Sequence, residues 1–333
     1  PMMAQDVQSQ IDAITKVIVN SKSNPDAAKD QVKDFIKENK KNAVAIAGVG
    51  RAYLDIKDTL NAKKYAEMAI DRDKNNAAGY LLMGDIEVVN NDGGAAATWY
   101  QQATLMDPKN PQGYIKYANI YRKRSPELSV QMLEKLRTVQ PDYPVDAEAG
   151  HFFYTANRFD KAIEYFSKVD LGKFNENYLT EYATATYLSS DSKKSLEISQ
   201  YGVQKNPRDA AMNRLCFYNY TDLKDYPNAL KYADALFNKS DSAKFSARDY
   251  QYYGYALMGD SAFDQAIAQF EKALELNSSL NDVKKQLSDA YIAKKDYVKG
   301  LALYDEYLKA VEKPSVGDID GLAKLYADQA ASI

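Results

Sequence analysis

The chain has 333 residues, 45% hydrophobic and 27% charged, which excludes a wholly disordered polypeptide. Forty-three Lys+Arg against 46 Asp+Glu leave a net charge of −3, so no global positive field draws it onto nucleic acid. One cysteine, Cys216, and one histidine, His151, exclude an internal disulfide, cysteine-based zinc or iron–sulfur centres, and multi-histidine metal sites.

From the amino terminus, Pro1-Met-Met-Ala4-Gln5 fits two origins. Either an initiator Met has been removed, or a signal peptide has been cut near Ala4–Gln5, where a small residue is wanted. The second is preferred. Together with the scarcity of cysteine it points to the periplasm or cell envelope, with the cytoplasm as the alternative. The longest apolar run, Ala43 to Gly50, is far short of the roughly 20 residues a membrane helix needs. Residues 1–42 are expected to form a leading helical hairpin, Val7–Val19 and Pro25–Glu38.

From Ala43 onward a period near 34 residues governs the chain. Counting slots from Ala77, Tyr80, Met83, Gly84, Ala96, Tyr100, Ala103 and Pro108 fall at 4, 7, 8, 20, 24, 27 and 32, with Tyr80 at slot 4. Units starting at Ala43, Pro111, Tyr143, Glu176, Ala210, Ala247 and Asn281 repeat the pattern. Slots 4, 7 and 11 share one helical face and bury bulky residues. Slot 8 is small wherever paired helices touch most closely: Gly50, Gly84, Ala118, Gly150, Ala183, Gly254 and Ser288. A glycine inside a helix costs about 1 kcal/mol against alanine, so its recurrence at one slot is explained by packing. Pro108, Pro141 and Pro207 stop second helices.

These residues resemble the tetratricopeptide repeat, two antiparallel helices per unit. The resemblance covers about eight repeats over residues 43–314. It implies an all-α fold, a right-handed α-solenoid of antiparallel helix pairs. Residues 315–333 are expected to cap it with a helix from Asp318 to Ala330, carrying Leu322, Leu325 and Tyr326 on its apolar face. With two leading helices the total comes to about nineteen. No Pro/Gly/Ser-rich linker interrupts the chain, so one continuous array is expected in place of two domains.

The register has four departures. Repeat three is short around Arg122–Pro126. Phe217 replaces the small residue at slot 8 of repeat six. Repeat six runs long through Asn238–Phe245. Repeat five has polar Thr186 and Ser199 at core slots. A joint between repeats four and seven is expected from them.

No catalytic motif emerges. His151 has no Gly-x-Ser-x-Gly partner and reads as a partly exposed histidine. Cys216, at slot 7, reads as an inert packed thiol. Gly48-Val-Gly50 lacks the third glycine of a dinucleotide fingerprint. Asn219-Tyr-Thr matches the glycan-acceptor pattern, as chance often does. The chain is therefore expected to be non-catalytic, without metal or cofactor.

The family resemblance implies that slots 2, 5, 6, 9, 12 and 13 of the first helices line the concave face, where ligands lie. The candidate partner-binding residues are Lys116, Asn119, His151, Tyr154, Tyr187, Arg214, Tyr218, Arg248, Tyr252 and Tyr255. Tyrosine is abundant, 27 against 11 Phe, and combines apolar area with a hydroxyl at low entropic cost. The expected ligand is another protein or peptide segment, with the arginines pairing carboxylates. The expected role is a scaffold in a bacterial envelope complex, with association to a membrane complex. The alternative is a carbohydrate- or envelope-polymer-binding module.

Overall fold

A single turn design, repeated along the chain, produces the helix pairs. Among the described residues seven non-glycine positions have positive φ: Lys57, Asn91, Asn157, Ser190, Lys224, Ser261 and Lys295. Each stands at slot 15, just past the first helix of its pair. The next residue's N–H closes back on the slot-11 carbonyl, as in Asp58 N to Tyr53 O at 2.9 Å and Asp225 N to Tyr220 O at 2.9 Å. This is the left-handed C-terminal closure that satisfies orphan helix carbonyls. The slot-16 residue then opens the second helix. Asp58, Asp92, Asp191, Asp225 and Asp296 each accept a backbone N–H three residues on. Repeat three lacks the left-handed residue. There Ser125 caps one position early, and the Tyr121 carbonyl receives both Arg124 N and Ser125 N. That is the deletion expected around Arg122–Pro126.

The computed structural model describes residues 2–241 and 243–333, with side chains from residue 6 onward. Among them are nineteen α-helices and no strand. The proposed cleavage residues Ala4 and Gln5 lie outside the described side chains, and Ser242 lies outside the described residues.

Packing divides the chain into two units, Pro1–Arg158 and Phe159–Ile333. The division falls within the turn of repeat four, a turn built like the others, so nothing in the sequence marks it.

The first unit opens with α1 (Met2–Asn20), a 3-10 turn (Pro25–Ala28) and α2 (Lys29–Glu38). The leading helix is longer than the expected Val7–Val19, and Pro25 starts the 3-10 turn, with α2 beginning only at Lys29. Then come α3 (Ala43–Asp55) with α4 (Thr59–Arg72), α5 (Ala77–Val89) with α6 (Gly93–Met106), α7 (Gln112–Tyr121) with α8 (Pro126–Val139), and α9 (Val145–Thr155). Ile18, Ile46, Val49, Ala62, Ala66 and Leu82 form the centre of its core.

The second unit begins with α10 (Phe159–Phe166), followed by a 3-10 turn (Leu171–Lys173). It continues with α11 (Glu176–Leu188) and α12 (Ser192–Lys205), α13 (Ala210–Asp222) and α14 (Tyr226–Lys239), α15 (Ala247–Gly259) and α16 (Phe263–Leu276), and α17 (Asn281–Ala293) and α18 (Tyr297–Ala310). The last helix is α19 (Val316–Ala331), two residues earlier than expected because Ser315 and Asp318 form a capping box. The short α10 leaves Val169 outside the helix. The turn after it folds Phe174 back over Phe166 and Tyr182, with ring centroids 5.6 and 5.5 Å apart.

Slot 8 meets its pair as expected. A Cβ on Gly84 would stand 2.3 Å from the Tyr100 ring, and one on Gly254 would stand 2.3 Å from the Phe270 ring. On Gly50 it would be 2.5 Å from Leu82 Cδ2 and 3.0 Å from the Ala62 carbonyl. Ala118 and Ala183 are fully buried and Gly150 is buried. Ser288 is equally buried, and its hydroxyl donates to the Gly300 carbonyl at 2.6 Å, a slot-8 to slot-20 contact.

Phe217 breaks the small-residue rule without breaking the packing. In repeats two and seven an aromatic at slot 24 covers a glycine at slot 8. In repeat six the sizes are exchanged. Phe217 and Ala233 are both fully buried, and the ring now comes from slot 8.

Candidate functional site

In the first unit, α3, α5 and α7 place slot-9 and neighbouring residues on one face. Arg51, Asp85, Lys116 and Asn119 meet there with Leu54, Val88, Val89 and Ile120 around an open cleft of about 610 Å³. Asp85 organises its polar side. Its carboxylate accepts the Tyr100 hydroxyl at 2.5 Å, Lys116 Nζ at 3.0 and 3.2 Å, and the Arg51 guanidinium. Burial pushes the Asp85 carboxyl upward, but Arg51, Tyr100 and Lys116 together outweigh it and hold it below the usual carboxylate range. Lys116 is therefore engaged within the protein, contrary to the expectation of a cation offered to a ligand. Asn119 stays exposed on the rim, and its side chain makes no hydrogen bond among the described residues.

His151 and Tyr154 lie on α9 of the same unit, both partly buried. Arg122 Nη1 stands 3.1 Å from His151 Nε2. A guanidinium can only donate, so Nε2 accepts and the ring proton sits on Nδ1. The same guanidinium lies over the Phe152 ring at 5.6 Å. His151 thus works as an acceptor for a structural arginine.

In the second unit, α11, α13 and α15 bring four predicted tyrosines together. Tyr218 and Tyr252 stack with centroids 4.0 Å apart and planes 13° apart. Tyr187 leans on Tyr218 at 5.9 Å, and Tyr255 meets Tyr252 edge-on at 5.9 Å. The Tyr187 and Tyr252 hydroxyls are 2.8 Å apart, and Tyr252 donates to Asp222 Oδ1 at 3.1 Å. Tyr187 therefore donates to Tyr252, and the relay ends on an exposed carboxylate.

Two of the expected open residues are not open. Tyr218 is only 4% exposed, because its ring packs under Tyr252 and its hydroxyl donates to Asp249 Oδ1 at 2.6 Å. Arg214 closes on the same carboxylate, Nε to Oδ1 at 2.8 Å and Nη2 to Oδ2 at 3.2 Å, and also caps the Lys244 carbonyl at 2.8 Å. Its charge is paired inside the protein, contrary to the expectation of an arginine offered to a peptide carboxylate. The missed residue is Asp249, fully buried at N3 of α15, where it forms a capping box with Ser246. The Ser246-x-x-Asp249 spacing is the sequence signal that would have found it. The same device recurs at the end of the chain: Asp318, in its box with Ser315, accepts Lys285 Nζ at 3.3 Å and the Tyr307 hydroxyl at 3.0 Å. Arg214 and Lys285 both occupy slot 5, so α19 stands in the register of a further first helix.

Arg248, by contrast, is exposed and makes no hydrogen bond or ion pair among the described residues. Tyr255 is half-buried, its hydroxyl accepting from Gln251 at 3.0 Å. The open part of this surface is the rim formed by Arg248, Asp222, Tyr252 and Tyr255.

The chemistry available is hydrogen bonding and apolar contact. Burial, with Asp249 beside one ring and Tyr187 beside the other, raises the Tyr218 and Tyr252 hydroxyls, so both stay protonated donors. Burial also pushes the Cys216 thiol up to about 12, which leaves it without thiolate character. Asn219 is fully buried in α13 and out of reach of glycan transfer. Among the described residues no cluster of His, Cys, Asp and Glu could hold a metal, and no helix is long and apolar enough to cross a membrane.

A tetratricopeptide-repeat family model matches residues 254–314, the stretch holding the C-terminal end of α15 together with α16, α17 and α18. No curated protein matches the chain. Similar solved structures include a tetratricopeptide repeat protein from Parabacteroides merdae, 17% identical, covering 74% of this chain and 98% of that one at a TM-score of 0.43. The C-terminal part of a TPR repeat-containing protein from Cytophaga hutchinsonii is 18% identical, covering 59% and 78% at 0.46. MamA of AMB-1 is 17% identical, covering 52% and 93% at 0.44. Residues 254–314 thus carry tetratricopeptide repeats, and the helix pairs that precede them stand in the same slot register.

Proposed function

We propose that the protein is a non-catalytic adaptor that holds a partner polypeptide on the first-helix face of its second unit, within a bacterial cell-envelope complex. The observation that carries this reading is the division of labour among the inner-face side chains. Arg214, Tyr218 and Asp249 are locked into one another, which fixes the surface, while Arg248, Asp222, Tyr252 and Tyr255 remain at its rim. A rigid aromatic patch edged by one cation and one anion suits an extended peptide or a helix with mixed charge. The envelope placement is supported by the thiol count: the one cysteine is buried, which suits an oxidising compartment.

Sugar binding is the weaker reading. Stacking on a sugar needs an open ring face, and Tyr252 has one face on Tyr218 and the edge of Tyr255 against it. The test is affinity capture from fractionated native cells, with bound proteins and glycans identified by mass spectrometry. The parent protein and a Tyr252→Ala/Tyr255→Ala variant of equal fold content are compared. One envelope polypeptide captured by the parent and lost by the variant supports the adaptor. Glycan without protein, or equal recovery by both forms, refutes this surface as the partner site.

A further inference from the structure

We infer that α12 is a built-in joint: it disengages from α11 and α13 while the rest of the second unit stays folded. The inference stands apart from the partner reading, since it concerns the free protein. The inner face of α12 is Ser195, Ile198, Ser199 and Gly202, all buried. At the matching slots α16 presents Ala266, Phe270 and Ala273, and α14, though small at two slots, closes on Phe217 and adds Leu236. Ile198 is the one large apolar side chain that α12 buries completely, with Leu196 and Val203 only partly covered, so the hydrophobic term for its docking is small.

Polar contacts replace part of the missing area, and they rest on a few side chains. Ser199 donates to the Ser195 carbonyl of its own helix at 2.7 Å. Ser195 donates to the Ala183 carbonyl at 2.9 Å and receives Asn219 Nδ2 at 2.7 Å, and Gln200 Nε2 donates to the Tyr220 hydroxyl at 2.5 Å nearer the surface; these ties cross the seam. Asn219 Oδ1 is buried and accepts no hydrogen bond, so water entering the opened seam would satisfy it. Segments with few buried apolar contacts open locally at free energies below global unfolding. Cys216 on α13 reports the event, because its sulfur faces Ser199 across the seam and has no solvent exposure while closed.

The experiment is thiol labelling of the intact protein with Ellman's reagent over a series of sub-denaturing urea concentrations. Circular dichroism follows global unfolding, and hydrogen exchange is read by mass spectrometry. Cys216 should label with a urea dependence well below that of global unfolding, and α12 amides should exchange at least about tenfold faster than those of α16. Fraying from the chain end would order these two helices the other way. Replacing both partners of the crossing bond by apolar groups, Ser195→Ala/Asn219→Leu, should slow labelling about tenfold. If that variant does not fold, the wild-type comparison decides alone. Labelling that tracks only global unfolding, or equal protection of α12 and α16, overturns the joint.

Discussion

Asp85 in the first unit and Asp249 in the second have the same immediate partners and different duties. Each is a buried carboxylate on the first-helix face, and each takes a tyrosine hydroxyl and an arginine from a neighbouring element. Asp85 sits in mid-helix at slot 9 and ties three consecutive repeats together through Arg51 and Lys116, beside an open cleft. Asp249 sits at the third position of its helix, where it also accepts the Ser246 backbone N–H at 2.9 Å and favours the helix N-terminus. A carboxylate anchored by its own backbone can be sealed completely. One held by long cations stays at the edge of solvent.

The largest expected effect concerns packing, where the two units differ at slot 8. Phe217→Ala should cost about 3–5 kcal/mol, as removal of a fully buried phenylalanine does. Adding Ala233→Phe returns the ring to slot 24, the arrangement of Gly84/Tyr100 in the first unit, and should recover a large part of the loss in urea unfolding. A double variant no more stable than the single one would break the size-exchange account.

Next comes the carboxylate pair itself. Asp249→Ala leaves the buried Tyr218 hydroxyl and the Ser246 N–H without a partner and should cost about 3 kcal/mol. Asp85→Ala should cost less, about 2 kcal/mol, because the Arg51 and Lys116 side chains are 43% and 34% exposed and can return to water. Equal losses in thermal or urea melts would erase the distinction between sealed and open carboxylates.

Acid sharpens the same contrast. Asp85 is held below its ordinary range, so its contribution is full above that range and is lost as the pH falls through the folded-state value. Asp318 behaves alike. Its bond from the Ser315 backbone N–H, with the Ser315, Tyr307 and Lys285 side chains, lowers it from 3.8 to about 2, so its contribution fades between those values. The stability gap between wild type and Asp85→Asn, clear at pH 7, should therefore narrow steadily under acid. A gap independent of pH would mean that the charge on Asp85 contributes nothing.

The smallest effect belongs to the turns. Lys224→Gly relieves a left-handed residue and should stabilise the second unit by up to about 1 kcal/mol. The corresponding residue in repeat three, Arg124, has no positive φ, so glycine there should destabilise. Matching signs at both sites would contradict the turn assignment.

The fold was largely legible because its determinants are local and periodic. Gly84 and Gly254 announce close helix contact wherever they recur, and the prolines mark second-helix ends. The division at Arg158 was not legible, since Asn157 and Arg158 form the same turn as the other pairs. The site was half legible. Slot position singled out Tyr187, Tyr252 and Tyr255, which meet in the fold, but whether an inner-face cation is open depends on what lies one repeat away. Arg214 and Arg248 look alike in sequence, and Asp249 claims only the first. Phe217 looked like a defect until Ala233 showed where the volume had gone.

That difference between two arginines gives the most direct test. The polypeptide captured in cells should be titrated by calorimetry against the parent and against Arg248→Ala, with melting temperatures recorded in parallel. The account predicts binding about five- to tenfold weaker at an unchanged melting temperature, since the Arg248 side chain makes no hydrogen bond or ion pair among the described residues. Full affinity in the variant would contradict the assignment of this rim as the partner surface.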